Sequence, residues 1–183
     1  LTYVEIDIDY CALRYGETTG AGTCPAILGV DSAVKCYNTI ATCAVPASFT
    51  NVPVTLRFAV DTGHNPADIE ALPFIKSYSD VSITPGRISL GEDLGQRESV
   101  SVTLFEAPHS DTGPGFDKYL ADRAYDPYSQ GTFWGKFRAR QPYLKGRAFR
   151  GDRGFVGQAL ADMECRHYIV DSFNGPGVDG RFT

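Results

Sequence analysis

Four of the five cysteines lie within the first 43 residues, at Cys11, Cys24, Cys36 and Cys43, and the fifth, Cys165, stands near the other end. Thiolates are strong ligands for soft metals, and four of them complete either a tetrahedral zinc site or the ligand set of an iron–sulfur cluster. Persistent disulfides are rare in a reducing compartment, which favours metal ligation for such a group. The crowding predicts a metal centre, with scattered buried thiols or disulfides as the alternative.

The spacing of these cysteines bears on which metal they would bind. The gaps between them are twelve, eleven and six residues, and none is as short as the two to four residues of a zinc knuckle. In a four-iron cube each thiolate binds a different iron atom, so the ligands can come from separated loops. The spacing fits a [4Fe-4S] cluster at least as well as zinc. The ferredoxin spacing is absent, which argues against a dedicated electron carrier.

Other residues that could do chemistry form weaker patterns. Cys165 and His167 would share one face of a strand, as a thiol nucleophile and its base would, but the sequence offers no third orienting group. A cysteine in such a position is usually core material, so we predict no catalytic residues and no enzyme. The alternating acids Glu5, Asp7 and Asp9 could bind a hard cation, although a solvated strand face is the preferred interpretation.

A basic segment between Lys136 and Arg153 stands out in an otherwise acidic chain of net charge -5. It carries seven basic residues against one acid, Asp152. This polarity predicts a surface that faces an acidic neighbouring subunit or nucleic acid. The residues predicted to contact a partner or DNA are Lys136, Arg138, Arg140, Lys145, Arg147 and Arg150.

The elements that must position these residues are predicted to be mostly strands. Residues 1–10 alternate apolar and acidic side chains with period two, as a half-buried strand does. Residues 11–50 show no sustained period, as expected of a segment shaped by a metal. Further strands are predicted at 54–60, 81–84, 88–90, 99–105 and 168–170, and short helices at 116–125 and 159–167. The fold class is therefore mainly β (α+β), with a cysteine-rich domain at 1–50 and a β-rich domain at 51–183.

The composition places limits on the kind of protein. With 183 residues, 43% of them apolar, the chain can form one hydrophobic core and a small satellite. No run approaches the ~20 apolar residues of a membrane-spanning helix, and the start lacks the order of a signal peptide. These features predict a soluble globular protein in a reducing cytosol, without a membrane-spanning segment.

Several longer segments of the chain resemble one known family of proteins. These segments are 1–11, 28–30, 35–39, 41–43, 89–97, 108–117, 131–142 and 166–173. They resemble the baseplate hub or tail-tip proteins of long-tailed siphophages, prophages and gene transfer agents, and the resemblance covers nearly the whole chain. The four-cysteine segment is also similar to the cluster-bearing domain of the lambda tail-tip protein, including the last gap of six residues.

The resemblance implies a structural role. By it, Cys11, Cys24, Cys36 and Cys43 would bind a [4Fe-4S] cluster, and residues 51–183 would form an antiparallel, β-barrel-like hub domain with a few short helices. The hub would assemble as a homotrimer around the tail channel, in the virion tail tip, after assembly in the host bacterial cytoplasm. Its partners would be the distal tail, tape-measure and receptor-binding or fibre proteins, with DNA passing through the lumen.

The sequence also bears on the extent of the chain and on two rival functions. Members of the family continue beyond the position of Thr183, so the chain is expected to be a fragment of a longer polypeptide. An iron–sulfur redox or electron-transfer module is one rival function, although no flavin or nicotinamide motif accompanies the cysteines. A zinc-dependent nucleic-acid-binding module is the other, favoured by the basic segment and weakened by the acidic chain and the absent zinc knuckles.

Overall fold

The computed structural model describes residues 1–26, 36–60, 65–79, 82–84, 97–123, 125–176 and 181–183. The protein is mainly β, as predicted from the sequence. Its eleven described strands are β1 (Thr2–Ile8), β2 (Thr18–Thr19), β3 (Gly22–Thr23), β4 (Val54–Val60), β5 (Leu72–Tyr78), β6 (Ser82–Thr84), β7 (Arg97–Ser99), β8 (Val102–Phe105), β9 (Ala148–Arg153), β10 (Glu164–Ile169) and β11 (Arg181–Phe182).

Seven of these strands form one sheet in the order β10-β9-β1-β4-β5-β8-β11. Two small hairpin sheets pair β2 with β3 and β6 with β7. The main sheet is mixed, because β4 and β5 run parallel while its other pairs are antiparallel. Residues 61–71 join these two strands, and a parallel pair needs a crossover of about that length. Within the described residues the sheet is open, with β10 and β11 at its edges.

Strand β1 lies between β9 and β4, and its period-two pattern explains that position. Val4, Ile6 and Ile8 are all buried and belong to the main hydrophobic core. Each such side chain removed from water contributes roughly 1.5–3 kcal/mol. The core continues through Phe58 of β4 and Phe133, whose rings meet edge to face with centroids 5.7 Å apart.

The single α-helix of the described residues, α1 (Phe133–Arg140), was not predicted from the sequence. Phe133, Trp134 and Phe137 bury its inner face. Its first turn is capped from far away in the chain: a carboxylate oxygen of Glu106 accepts the backbone N–H of Trp134 at 3.1 Å, and the other oxygen accepts that of Gly135 at 3.2 Å. A cap supplied from another segment leaves no local sequence signal.

Both predicted short helices are wrong. Of the described residues in 116–125, only Leu120–Asp122 form a 3-10 turn, because the Asp117 side chain accepts the backbone N–H of Tyr119 and competes with a helix. In 159–167 a 3-10 turn at Leu160–Asp162 is followed by β10. This strand begins at Glu164 and includes most of the predicted strand at 168–170.

The predicted strand at 54–60 is confirmed as β4, and the one at 81–84 as β6. The predicted strand at 99–105 is divided between the end of β7 and β8. The predicted strand at 88–90 lies outside the described residues. In the described segments no helix is long and apolar enough to cross a membrane.

Candidate metal centre

The four N-terminal cysteines are held by different pieces of irregular structure. Cys11 comes after β1 and is buried, whereas Cys24 directly follows β3 and is partly exposed. Cys36 and Cys43 lie on either side of a 3-10 turn at Ile40–Thr42 and are also partly exposed. All four are free thiols. Residues 27–35, between the second and third of these cysteines, lie outside the described part of the chain.

Two of the four thiols carry pKa shifts to which other N-terminal cysteines contribute. Burial raises the pKa of Cys36, and the thiols of Cys43 and Cys11 act in the same direction. Burial also raises the pKa of Cys43, and the thiols of Cys11 and Cys24 act in the same direction. Coulomb interactions decay with distance and are screened by water, so these thiols lie within electrostatic range of one another.

Backbone hydrogen bonds hold these loops together. The N–H of Cys11 donates to the carbonyl of Asn38 at 2.7 Å, which joins the end of β1 to the segment after Cys36. Tyr15 and Cys24 form an isolated parallel bridge, which attaches the second cysteine to the chain that follows the first. The loops therefore approach each other through their main chains and not only through their thiols.

Asn38 is the residue that shapes the centre most directly. It is 1% exposed and adopts the left-handed backbone conformation, with φ of 60°. Its N–H donates to the sulfur of Cys36 at 3.4 Å. Burial raises the pKa of Cys36 overall, and this bond and one from the Tyr15 hydroxyl act against that rise. Sequence reasoning missed Asn38, although asparagine is one of the few residues that adopt this conformation readily.

The donor set fits a sulfur-ligated metal centre. The set consists of four free thiols, and Cys36 accepts two hydrogen bonds, as sulfur atoms bound to a cluster do. Among the described residues, no three histidine, cysteine or acidic side chains form a group that could hold a metal ion.

Two cations reach the same loops from the segment that follows β8. Lys118 donates to the carbonyl of Cys11 and lies 4.6 Å from the centre of the Tyr10 ring. Arg123 donates to the carbonyl of Cys36 at 2.5 Å and also pairs with Asp117, whose side chain is fully buried. Positive charge near a set of thiolates stabilises their ionised form. Neither cation could be found from the sequence, because no local pattern marks it.

The basic segment meets acids of its own chain. Arg150 donates to Glu5 at 2.8 Å and to both oxygens of Asp7, at 2.8 and 3.0 Å. Arg147 pairs with Asp9 at 2.5 Å. The acidic face of β1, which was expected to be solvated, is therefore covered by arginines. Sequence reasoning identified both charge patterns but did not pair them.

Two more of the predicted partner contacts lie on α1 and point inward. Arg140 makes a two-pronged hydrogen bond to Asp111, at 2.9 and 2.6 Å, and Lys136 lies 3.6 Å from the same carboxylate. Asp111 is 2% exposed. Burial acts to raise the pKa of Asp111, but the hydrogen bonds and charge of Arg140 outweigh it and lower that pKa overall.

The remaining two of the six predicted partner contacts are on the surface. Lys145 is 79% exposed and lies 3.4 Å from Asp171, which is 94% exposed. Arg138 is exposed, donates to the carbonyl of Gly175 and lies over the ring of Phe173. Contact of these residues with a partner or with DNA stays a prediction.

Cys165 and His167 lie on the same face of β10, as predicted, with 3.9 Å between the sulfur and Nε2. A hydrogen bond with Asp152 is the main reason that the pKa of Cys165 rises to about 11. The thiol is therefore protonated at neutral pH, whereas a nucleophilic cysteine needs a lowered pKa.

Comparisons with protein-family models, with curated proteins and with solved structures gave no match. The function proposed below therefore rests on the residues of this chain and on the segments that resemble tail-tip proteins.

Replacing Arg123 tests how strongly the cysteine loops depend on the segment that holds them. Arg123→Met leaves the Asp117 carboxylate buried without its cation, so we expect the free energy of unfolding to fall by about 3–5 kcal/mol. Lys145→Met removes an exposed ion pair and should cost less than about 1 kcal/mol. Urea denaturation measures both, and equal costs would contradict a structural role for Arg123.

The ion pairs on β1 predict acid sensitivity. The hydrogen bonds from Arg150 lower the pKa of Asp7 most, ahead of the opposing effect of burial. A carboxyl whose pKa is lower in the folded state stabilises the fold above its unfolded pKa of ~3.9, and this stabilisation is lost as the pH falls below about 4.

Asp7→Asn should therefore be less stable than the wild type at pH 7. Between pH 7 and pH 3 its unfolding temperature should fall by less than that of the wild type, as measured by thermal unfolding. Asp171→Asn is the matched control because that carboxylate is 94% exposed. An unchanged pH dependence in Asp7→Asn would contradict the assignment.

Proposed function

We propose that Cys11, Cys24, Cys36 and Cys43 bind one [4Fe-4S] cluster, and that the protein is a structural component of a siphophage-like tail tip without catalytic turnover. The observation that supports the metal assignment is that four free thiols lie on loops joined by the hydrogen bond from Cys11 to Asn38 and by the bridge between Tyr15 and Cys24. Four thiolates are the ligand set of such a cluster. The assembly role is supported by the family resemblance of the sequence.

The irregular structure around the thiols supports a stapling role. Between β1 and β4 the described elements are two strands of two residues each and two 3-10 turns of three residues each. Elements this short bury little apolar surface, and small segments of that kind commonly need a metal or a disulfide to stay folded. A bound cluster would supply metal–thiolate bonds in place of that missing core.

The neighbouring residues would each have a defined task. The N–H of Asn38 and the hydroxyl of Tyr15 would orient the sulfur of Cys36 by donating to it. Lys118 and Arg123 would place positive charge beside the negative centre while holding the loops through carbonyl groups. These contacts also attach the cysteine segment to the chain beyond β8, so the metal would stabilise more than its own loops.

The surface is consistent with a protein that assembles. Large apolar side chains are exposed at several places on the described surface: Tyr143 at 74%, Phe155 at 82%, Val156 at 71% and Ile169 at 72%. Contiguous exposed apolar patches mark surfaces that meet other proteins, and Phe155 and Val156 are adjacent in the chain. We propose a homotrimeric ring in the virion, whose exposed Arg138 and Lys145 face a neighbouring tail protein or the DNA in the channel.

Zinc is the second candidate ligand, because a tetrahedral zinc ion takes the same four thiolates. If the centre holds zinc, the nucleic-acid-binding function is favoured over the tail-tip function. Reversible one-electron cycling of a cluster would favour the redox function over the structural one.

The metal assignment is tested by purifying the protein without oxygen and measuring iron, acid-labile sulfide and the visible absorption spectrum. The wild type should be brown and contain iron and sulfide in equal amounts. Cys36→Ser should lose most of the iron and unfold at a lower temperature than the wild type. Cys165→Ser should keep the iron content and unfolding temperature of the wild type, because Cys165 lies on β10. A colourless wild type that contains zinc, or a Cys36→Ser variant with unchanged metal, would contradict the proposal.

The assembly role is tested on the same preparation by negative-stain electron microscopy and by size-exclusion chromatography with light-scattering detection. Closed rings of three subunits are expected, because repeated identical contacts close into a ring when their rotation allows it. A protein that stays a single subunit at every accessible concentration, with its cluster bound, would contradict the ring while leaving the metal assignment intact.

A further inference from the structure

Strand β10 combines a free edge with a pair of metal-binding side chains. In the described part of the sheet its only neighbour is β9, so its other edge is unpaired. Cys165 and His167 are exposed on one face of this strand, two residues apart. Unpaired strand edges readily accept another strand, and proteins usually cover or disrupt them.

The backbone of β10 is oriented to make such a pairing around these two residues. The N–H of Val170 donates to Arg147, on the inner side of the strand. Because successive residues of a strand point their backbone groups to alternate sides, Cys165 and His167 direct their N–H and carbonyl groups toward the free edge. The two potential ligands and the available hydrogen-bonding groups thus belong to the same residues.

The two side chains already lie at a distance that suits one metal ion. The sulfur of Cys165 and Nε2 of His167 are 3.9 Å apart. A tetrahedral zinc ion, with bonds of about 2.3 Å to sulfur and about 2.0 Å to nitrogen, separates two such atoms by about 3.6 Å. One chain offers only these two ligands here, and no described residues form a group of three or more that could hold a metal ion.

We propose that β10 pairs antiparallel with β10 of a second copy, centred on Arg166, and that the two copies bind one zinc ion between them. In this register Cys165 lies directly opposite His167 of the second copy, and His167 lies opposite Cys165 of the second copy. The four ligands then share one face of the joined sheet, and diagonal neighbours across such a pair lie about 7–8 Å apart at Cα. Two sulfur and two nitrogen ligands in a tetrahedral arrangement select zinc. Each thiol gives its proton to solvent water as the bond from sulfur to zinc forms.

The second copy is the occupant that the symmetry of the strand favours. A two-fold axis makes an interface between identical patches, so each copy supplies the two ligands that the other lacks. Arg166 would meet its equivalent at the axis, and Glu164, 2.8 Å from it, supplies the neutralising carboxylate on each side. The pairing would also cover Ile169, which is 72% exposed on the same face as the ligands.

Asp152 provides a second observation beside the two ligands. It lies opposite Cys165 in the pairing of β9 with β10, and it is 4% exposed. Its Oδ2 atom is buried without a hydrogen-bond partner. The Asp152 carboxylate also hydrogen-bonds the protonated Cys165 thiol, and that bond ends when the thiol gives up its proton to bind zinc. The interface does not depend on the N-terminal thiols or on the tail-tip function.

Sedimentation velocity with zinc and a phosphine reductant tests the interface. Adding one and a half equivalents of zinc per chain, enough to fill both the four N-terminal thiols and the interface, should double the mass of the zinc-free species of the wild type. Cys165→Ser and His167→Ala should keep the zinc-free mass, because each removes two of the four ligands from the pair. Ile169→Thr, which keeps the ligands on the same strand face, is the matched control and should still double. Every variant retains the four N-terminal cysteines, so zinc bound there is equal in all samples.

Cobalt provides the second measurement. Cobalt added to the wild type should give a thiolate charge-transfer band that is reduced in Cys165→Ser at equal protein concentration. A wild type whose mass zinc leaves unchanged would overturn the proposal. So would a Cys165→Ser variant that doubles as the wild type does, or equal cobalt spectra for the two proteins.

Discussion

The structure depends most on strand β1, which must satisfy opposite demands on its two faces. Val4 and Ile8 bury one face in the core, whereas Glu5 and Asp7 on the other face are neutralised by arginines from β4 and β9. A buried or half-buried carboxylate is tolerated only when it is paired and hydrogen-bonded. The sheet can therefore place an acidic strand at its centre only because the basic segment folds back onto it.

The same strand fixes the starting point of the candidate metal centre. Cys11 follows β1 closely, and its N–H is bonded to the carbonyl of Asn38, so the first and third cysteine loops share an anchor in the sheet. Arg123 then connects Cys36 to the buried Asp117. A metal bound by the four thiols would consequently act on two segments that are distant in sequence. Loss of the metal should loosen the cysteine segment first and the 117–125 segment with it.

The sequence predicted the features that local patterns encode. Period two revealed β1, and a strand-like run bounded by turn residues revealed β4. Cys165 and His167 do share a strand face, although the composition of 159–167 had also predicted a helix there. Helix α1 was missed because Glu106 caps it from outside the local sequence, and the pairing of Arg150 with Asp7 was missed because 143 positions separate them. The cysteines were recognised as a group from their residue type, but their mutual approach depends on Asn38, Lys118 and Arg123, which carry no local signal. Long-range hydrogen bonds and ion pairs are what pattern reasoning could not supply.

The central claim is that the four N-terminal thiols share one inorganic centre. Native mass spectrometry of the full chain, prepared and sprayed without oxygen, measures this most directly. The account predicts that each subunit carries the additional mass of one [4Fe-4S] cluster, and that alkylating reagents reach Cys165 alone until the cluster is removed. A subunit with the mass of the bare polypeptide, with all five cysteines alkylated at once, would contradict it.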